Sequence, residues 1–183
     1  MKPVYARLTG MLLLACGLSG PAQAAPDFGR TSHPEVPERK WFKDADGYRD
    51  ALALQEKTGV ELFLYFYRHD LPDEKGLCSW FEKRGLQEGD VKKLLETYIK
   101  VQVQLPIKKK DQPLFSTFRF NKCPAVFIVP PNGWAQRCQV FDWDNRRPKL
   151  KEQDVLVQEF LKKTESAKVS TDWRKPQDAS EGE

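Results

Sequence analysis

Cysteine and histidine are both scarce in this chain of 183 residues: four cysteines, at positions 16, 78, 123 and 138, and two histidines, His33 and His69. No two cysteines stand at a Cys-x-x-Cys interval, which excludes the common structural zinc motifs and a standard vicinal dithiol. A zinc site assembled from His69, Cys78 and Cys123 lacks the paired spacings such sites use, so no metal is expected. A glycine-rich phosphate loop is absent, no Ser/His/Asp arrangement stands out, and no cofactor is expected. Charge of one sign is lacking too, with 30 Lys and Arg against 26 Asp and Glu, interspersed apart from Lys108, Lys109 and Lys110. That balance excludes a basic field for nucleic acid.

The apolar segment at the front is too short to span a bilayer. Lys2 and Arg7 precede it, and Ala22-Gln23-Ala24 closes it in the small-x-small pattern of a secretory cleavage site, so residues 1–24 are expected to be a signal peptide. The rival reading is a lipoprotein box at Leu13-Leu14-Ala15-Cys16, with Cys16 carrying a lipid anchor. Either route exports the protein, and a periplasmic location is expected. Removing Lys2 and Arg7 takes the formal charge from +4 to +2. Cys78, Cys123 and Cys138 remain, an odd number in an oxidising compartment, so at least one thiol is left over or pairs elsewhere.

Residues 25–40 are Pro-rich and polar and read as a leader rather than packed structure. One domain is expected over 41–163, followed by a disordered polar tail over 164–183. Within the domain, 44–59 carries Tyr48, Ala51, Leu52 and Leu54 near helical spacing and ends on Gly59. The run "VELFLYFY" over 60–67 is apolar on both faces, as in a central strand. A loop over 68–77 is expected next, with a helix starting at Cys78 and interrupted near Gly85 to Gly89. "IKVQVQL" over 99–105 alternates strictly, which predicts a strand at a sheet edge. A short helix over 113–120, a strand over 125–129, a tight turn, a returning strand over 134–143 and a helix over 151–163 complete the pattern, with Val155, Leu156, Phe160 and Leu161 as the stripe of the last helix. Antiparallel counting sets Cys138 opposite Val126 or Phe127.

The buried strand running into "CSWFEKRGLQEGDVKKLL", followed by "KCPAVFIVPPNG", resembles the thioredoxin superfamily over residues 41–163, and within it the C-terminal domains of the DsbD thiol:disulfide interchange proteins and their small exported relatives. The resemblance implies an α/β fold, a three-layer α/β/α sandwich with a mixed sheet and a cis-proline, Pro124, before the C-terminal hairpin. In that register Cys78 takes the second, buried cysteine position of the family and Lys75 the first. Tyr65 stands where relatives hold a buried acid, and the connection from Tyr67 to Cys78 is longer than theirs. The resemblance also implies that Cys123, just before the cis-proline, faces the active-site helix, so that Cys78 and Cys123 are candidates to form a structural or cycling disulfide.

Exchange chemistry needs an attacking thiolate and a resolving thiol. At a helix start, Cys78 is expected to gain from the macrodipole and from the charge of Lys75. Two functions follow: an atypical exported thiol-disulfide oxidoreductase without the usual cysteine pair, acting through Cys78 and Cys123, or a redox-inactive binding or assembly module of an envelope complex. Pro124, Trp80 and His69 are the candidate substrate contacts. Pro124 borders the groove in which relatives hold extended segments, Trp80 is a surface aromatic, and His69 is a loop histidine able to influence a thiol. Expected partners are other envelope proteins, as an extended client segment or a redox partner, and no nucleic acid.

Overall fold

The computed structural model describes residues 27–131 and 134–169. The expected signal peptide, Cys16 and the tail beyond residue 169 lie outside the described residues, as do two residues of the turn expected after the 125–129 strand.

The most apolar stretch of the chain becomes the middle of the sheet. Strand β2 (Leu62–Arg68) is flanked by β3 (Ile99–Leu105), in parallel, and by β4 (Ala125–Val129), antiparallel. With β1 (Trp41–Lys43) beyond β3 and β5 (Gln136–Cys138) beyond β4, the order is β1-β3-β2-β4-β5, a mixed sheet. A strand buried on both faces needs cover above and below. On one face α1 (Asp44–Thr58) and a 3-10 turn (Lys109–Phe115) pack Ala45, Tyr48, Ala51 and Phe115 against Leu64 and Phe66. On the other, α3 (Gly89–Leu95) and α4 (Gln153–Val169) pack Val91, Leu94, Leu156 and Phe160 against Phe63 and Tyr65. The result is the three-layer α/β/α sandwich.

Several expectations are corrected. Strand β3 is not an edge: β1, which is three residues long and precedes the first periodic pattern, pairs along it, Phe42 opposite Val101. Lys100, on the face expected to be wet, is buried, its ammonium group bonded to the carbonyl oxygens of Glu38 and Leu95. The stripe of α1 runs through Tyr48 and Ala51 and adds Gln55, with Leu52 and Leu54 partly buried at its margins. The Gln55 amide spans the end of the sheet, donating to Val60 O at 3.1 Å and Val129 O at 2.8 Å. Val155 is exposed and Val157 takes its place on α4. Helix α4 also continues past 163, and the Thr164 hydroxyl is buried against Tyr98 Oη at 2.8 Å, so the first residues assigned to the tail belong to the fold. The described part of the leader forms no helix or strand, yet it packs: Val36 is buried and Arg30 pairs with Glu61 at 2.6 Å under cover of the Tyr98 ring.

The returning strand breaks after Cys138. β5 pairs with β4, Cys138 opposite Val126 as the counting predicts, and then β6 (Phe141–Asp144) turns back through Asn145 and Arg146 to β7 (Arg147–Leu150) as a separate two-stranded ribbon. Both turn residues have positive φ, 46° and 67°, the geometry two-residue hairpins prefer. The Leu105–Pro106 and Cys123–Pro124 peptide bonds are cis.

Candidate functional site

The loop expected over 68–77 is mostly helix. Helix α2 (Pro72–Trp80) begins with proline in its first turn followed by Asp73 and Glu74, a standard start signal that outweighs the loop reading. A π-helical turn (Phe81–Leu86) continues it, crossing the end of β2 so that Cys78 packs with the cluster on one sheet face and Phe81 with the cluster on the other. Cys78 therefore sits near the C-terminal end of α2. The helix macrodipole acts at the ends of a helix and its favourable end is a turn and a half away, so the expected help to a thiolate is corrected. Lys75 is exposed on the outer side of α2.

What surrounds Cys78 is more specific. Its Sγ accepts the backbone N–H of Arg68 at 3.4 Å. Cys123, at the approach to β4, is its thiol neighbour. The Cys78 thiol is held below the usual range, first by the Cys123 thiol beside it and then by the Arg68 N–H and the Tyr65 hydroxyl, against the opposing effects of burial and of the Glu82 charge. Cys123 moves the other way: the Cys78 sulfur beside it and burial both push its thiol up. Two interacting thiols titrate as a pair, the first proton leaving more readily and the second less. Both side chains are almost fully buried, at 0% and 2% exposure, and all three described cysteines are free thiols.

A polar chain runs outward from the pair. Tyr65 Oη donates to Glu82 Oε1 at 3.0 Å, and His69 Nε2 lies 3.4 Å from the same oxygen without forming a hydrogen bond. The Tyr67 ring stacks on Tyr65 and meets His69 at 5.0 Å, walling this side from solvent. Burial, then the Cys78 and Glu82 charges, push the Tyr65 phenol up, so it stays protonated as a donor. On the far side Glu74 Oε2 accepts the backbone N–H of Cys123 at 3.3 Å, tying the residue before Pro124 to α2. Glu74, Cys78 and Glu82 follow one another at four-residue steps, the spacing that aligns side chains along one helical face. That pattern is present in the sequence, and it is the signal by which the two carboxylates were findable.

Pro124 and Cys123 line an open groove of about 560 Å³, bounded by Leu77 of α2 and by Phe141 and Trp143 of the ribbon. Trp80 is 41% exposed and meets the Phe141 ring edge-on at 5.7 Å, at the border of this groove. His69 does not reach it; its neighbours are Tyr67 and Glu82. The structure thus brings Cys78 to Cys123 and sets Pro124 in the groove, while Trp80 reaches the groove only through Phe141 and His69 joins the pair through the tyrosine and carboxylate. Cys138 lies under the groove floor, its thiol pushed up by burial.

This arrangement is a thioredoxin-like fold. The C-terminal domain of Neisseria meningitidis DsbD superposes on the chain with a TM-score of 0.50 in its oxidised form, at 16% identity, covering 68% of this chain and 99% of that domain. Its reduced form gives 0.49 at 15% identity, with the same coverage, and a thioredoxin from Thermus thermophilus gives 0.41 at 22%, covering 73% of this chain and 89% of that protein. At these identities the likeness concerns the fold. No protein-family model and no curated protein matches the sequence.

Proposed function

We propose that this protein is an exported thiol-disulfide exchange protein that uses Cys78 and Cys123 as its redox pair. The observation that carries the reading is the juxtaposition of two buried free thiols on different elements, one of them lining the groove beside Pro124. Forming the Cys78–Cys123 disulfide joins the two sulfurs and gives up two protons and two electrons, which a disulfide-bearing partner accepts by exchange. In the oxidised protein, a client thiolate in the groove attacks the Cys123 sulfur, the sulfur–sulfur bond breaks, and Cys78 leaves as a thiolate. A second client thiol, deprotonated, attacks the client sulfur of the mixed disulfide and releases Cys123. Two electrons pass from the client dithiol to the protein pair, and a disulfide-bearing partner takes them on. A leaving thiol departs faster when its pKa is low, and the bond that Cys78 accepts from the Arg68 N–H, with the Cys123 thiol and the Tyr65 hydroxyl beside it, supplies that property.

Tyr65 replaces a titratable acid with a permanent donor, and Glu82 supplies the carboxylate at its other end. Export rests on the secretory features of residues 1–24; no helix among the described residues is long and apolar enough to cross a membrane.

A second reading, a binding module without electron transfer, draws support from the near-complete burial of both thiols and from Lys75 at the position of the family's first cysteine. The deciding experiment is acid-quenched alkylation and peptide mapping of the mature protein from the cell envelope, before and after reduction. A Cys78–Cys123 crosslink that reduces and reforms is expected. Three free thiols in an oxidising glutathione buffer would sink the exchange reading and leave the binding module.

A further inference from the structure

The groove beside Pro124 has a charge pattern that exchange chemistry does not require. Lys122, Arg137 and Lys162 line it, all exposed and none in an ion pair among the described residues. Its acid, Glu159, is engaged by Lys163 at 4.0 Å and accepts the Gln139 N–H at 2.9 Å, so it answers none of those three cations. Side chains alternate along a strand, so Phe141 and Trp143 turn to the groove while Asp142 and Asp144 turn away, Asp142 towards Lys151 at 3.7 Å. The cleft therefore has an aromatic wall, with Trp143 56% exposed, and a basic rim whose charge no acid of the ribbon offsets. Along its side runs β5, the last strand of the sheet among the described residues.

We propose that this groove binds an extended client segment rich in Asp and Glu, with an apolar or aromatic residue set against Phe141 and Trp143. Main-chain pairing to a sheet edge is indifferent to sequence, so selection falls to side chains: carboxylates meet Lys122, Arg137 and Lys162, and a basic segment meets like charge. The proposal holds whether or not Cys78 and Cys123 cycle.

The test uses the full mature chain and fluorescently labelled peptides with a central Trp flanked by Asp and Glu, by Asn and Gln, or by Lys. The acidic peptide is expected to bind about tenfold more tightly than the neutral one, with the lysine peptide weakest, and the preference is expected to fade at about 0.5 M salt. Arg137→Glu with Lys162→Glu, both at exposed positions, is expected to weaken the acidic peptide about tenfold and leave the neutral one unchanged. The same ranking measured in excess dithiothreitol, where the thiols stay reduced and no exchange runs, separates groove selectivity from the redox reading, since it survives there even if exchange fails. Equal binding of the three peptides, no binding of any, displacement of the acidic peptide by phosphatidylglycerol vesicles, or indifference of the charge-reversed chain overturns the proposal.

Discussion

Cys78 and Cys123 meet thiol to thiol, one near the end of α2 and the other at the approach to β4, with the Arg68 N–H and the Tyr65 hydroxyl directed at the Cys78 side only. The asymmetry makes them unequal partners. Cys78 is the sulfur prepared to carry charge, and Cys123 is the sulfur that borders the groove.

That inequality is measurable by thiolate absorbance against pH. In a Cys138→Ala background, Cys123→Ala removes the largest stabiliser of the Cys78 thiolate and is expected to raise its apparent pKa. Cys78→Ala is expected to lower the apparent pKa of Cys123, because the neighbouring sulfur that pushes it up is gone. Shifts of the same sign in both variants contradict the pairing.

Tyr65→Phe tests the other donor. The change deletes one hydroxyl, leaves Glu82 Oε1 without its 3.0 Å donor, and takes a polar group from beside Cys78. The expected outcomes are a destabilisation of about 1 to 2 kcal/mol in denaturant unfolding and a Cys78 titration moved upward. An unchanged titration curve shows that Tyr65 serves packing alone.

Burial of Cys138 has a pH signature. Its folded-state pKa lies above the ordinary thiol value of about 8.5, so above that pH the unfolded chain loses a proton that the folded chain keeps, and stability falls as pH rises. Cys78, shifted down, contributes the opposite slope between its folded value and about 8.5, and is already spent above it. Cys138→Ala is therefore expected to remove about 1.4 kcal/mol per pH unit from the alkaline decline, read from urea midpoints between about pH 8.5 and 10. An alkaline decline as steep as that of the unsubstituted chain refutes the assignment.

Gly85 lies in the π-helical turn against the fully buried Phe81 ring. A Cβ there would stand 2.5 Å from Phe81 Cδ2 and 2.7 Å from Cε2, and Phe81 is enclosed on all sides. Gly85→Ala is expected to destabilise by about 1 to 3 kcal/mol, despite alanine's better helix propensity. A raised thermal midpoint would show that the ring has room to move.

The sequence by itself determined the sandwich, because its strongest signals are local. The both-sides-apolar run through Phe63 and Phe66 dictates a central strand, Gly59 closes α1 in the left-handed conformation, and counting residues back from the turn narrows the partner of Cys138 to Val126 or Phe127, of which the structure takes Val126. What misled was also local. Strict alternation in β3 looks like a wet edge, but a three-residue strand too short to carry a pattern covers it, and Lys100 buries its stem by bonding to two carbonyl oxygens. The start of α2 was written in Pro72, Asp73 and Glu74, and more than a turn and a half of helix moved Cys78 away from the favourable end of the dipole. Only the tertiary structure decided the site: the meeting of Cys78 and Cys123, the reach of Tyr65 to Glu82, and the basic rim assembled from Lys122, Arg137 and Lys162. Those groups come from separate elements, and their distances depend on how the layers pack, a quantity that no window along the chain contains.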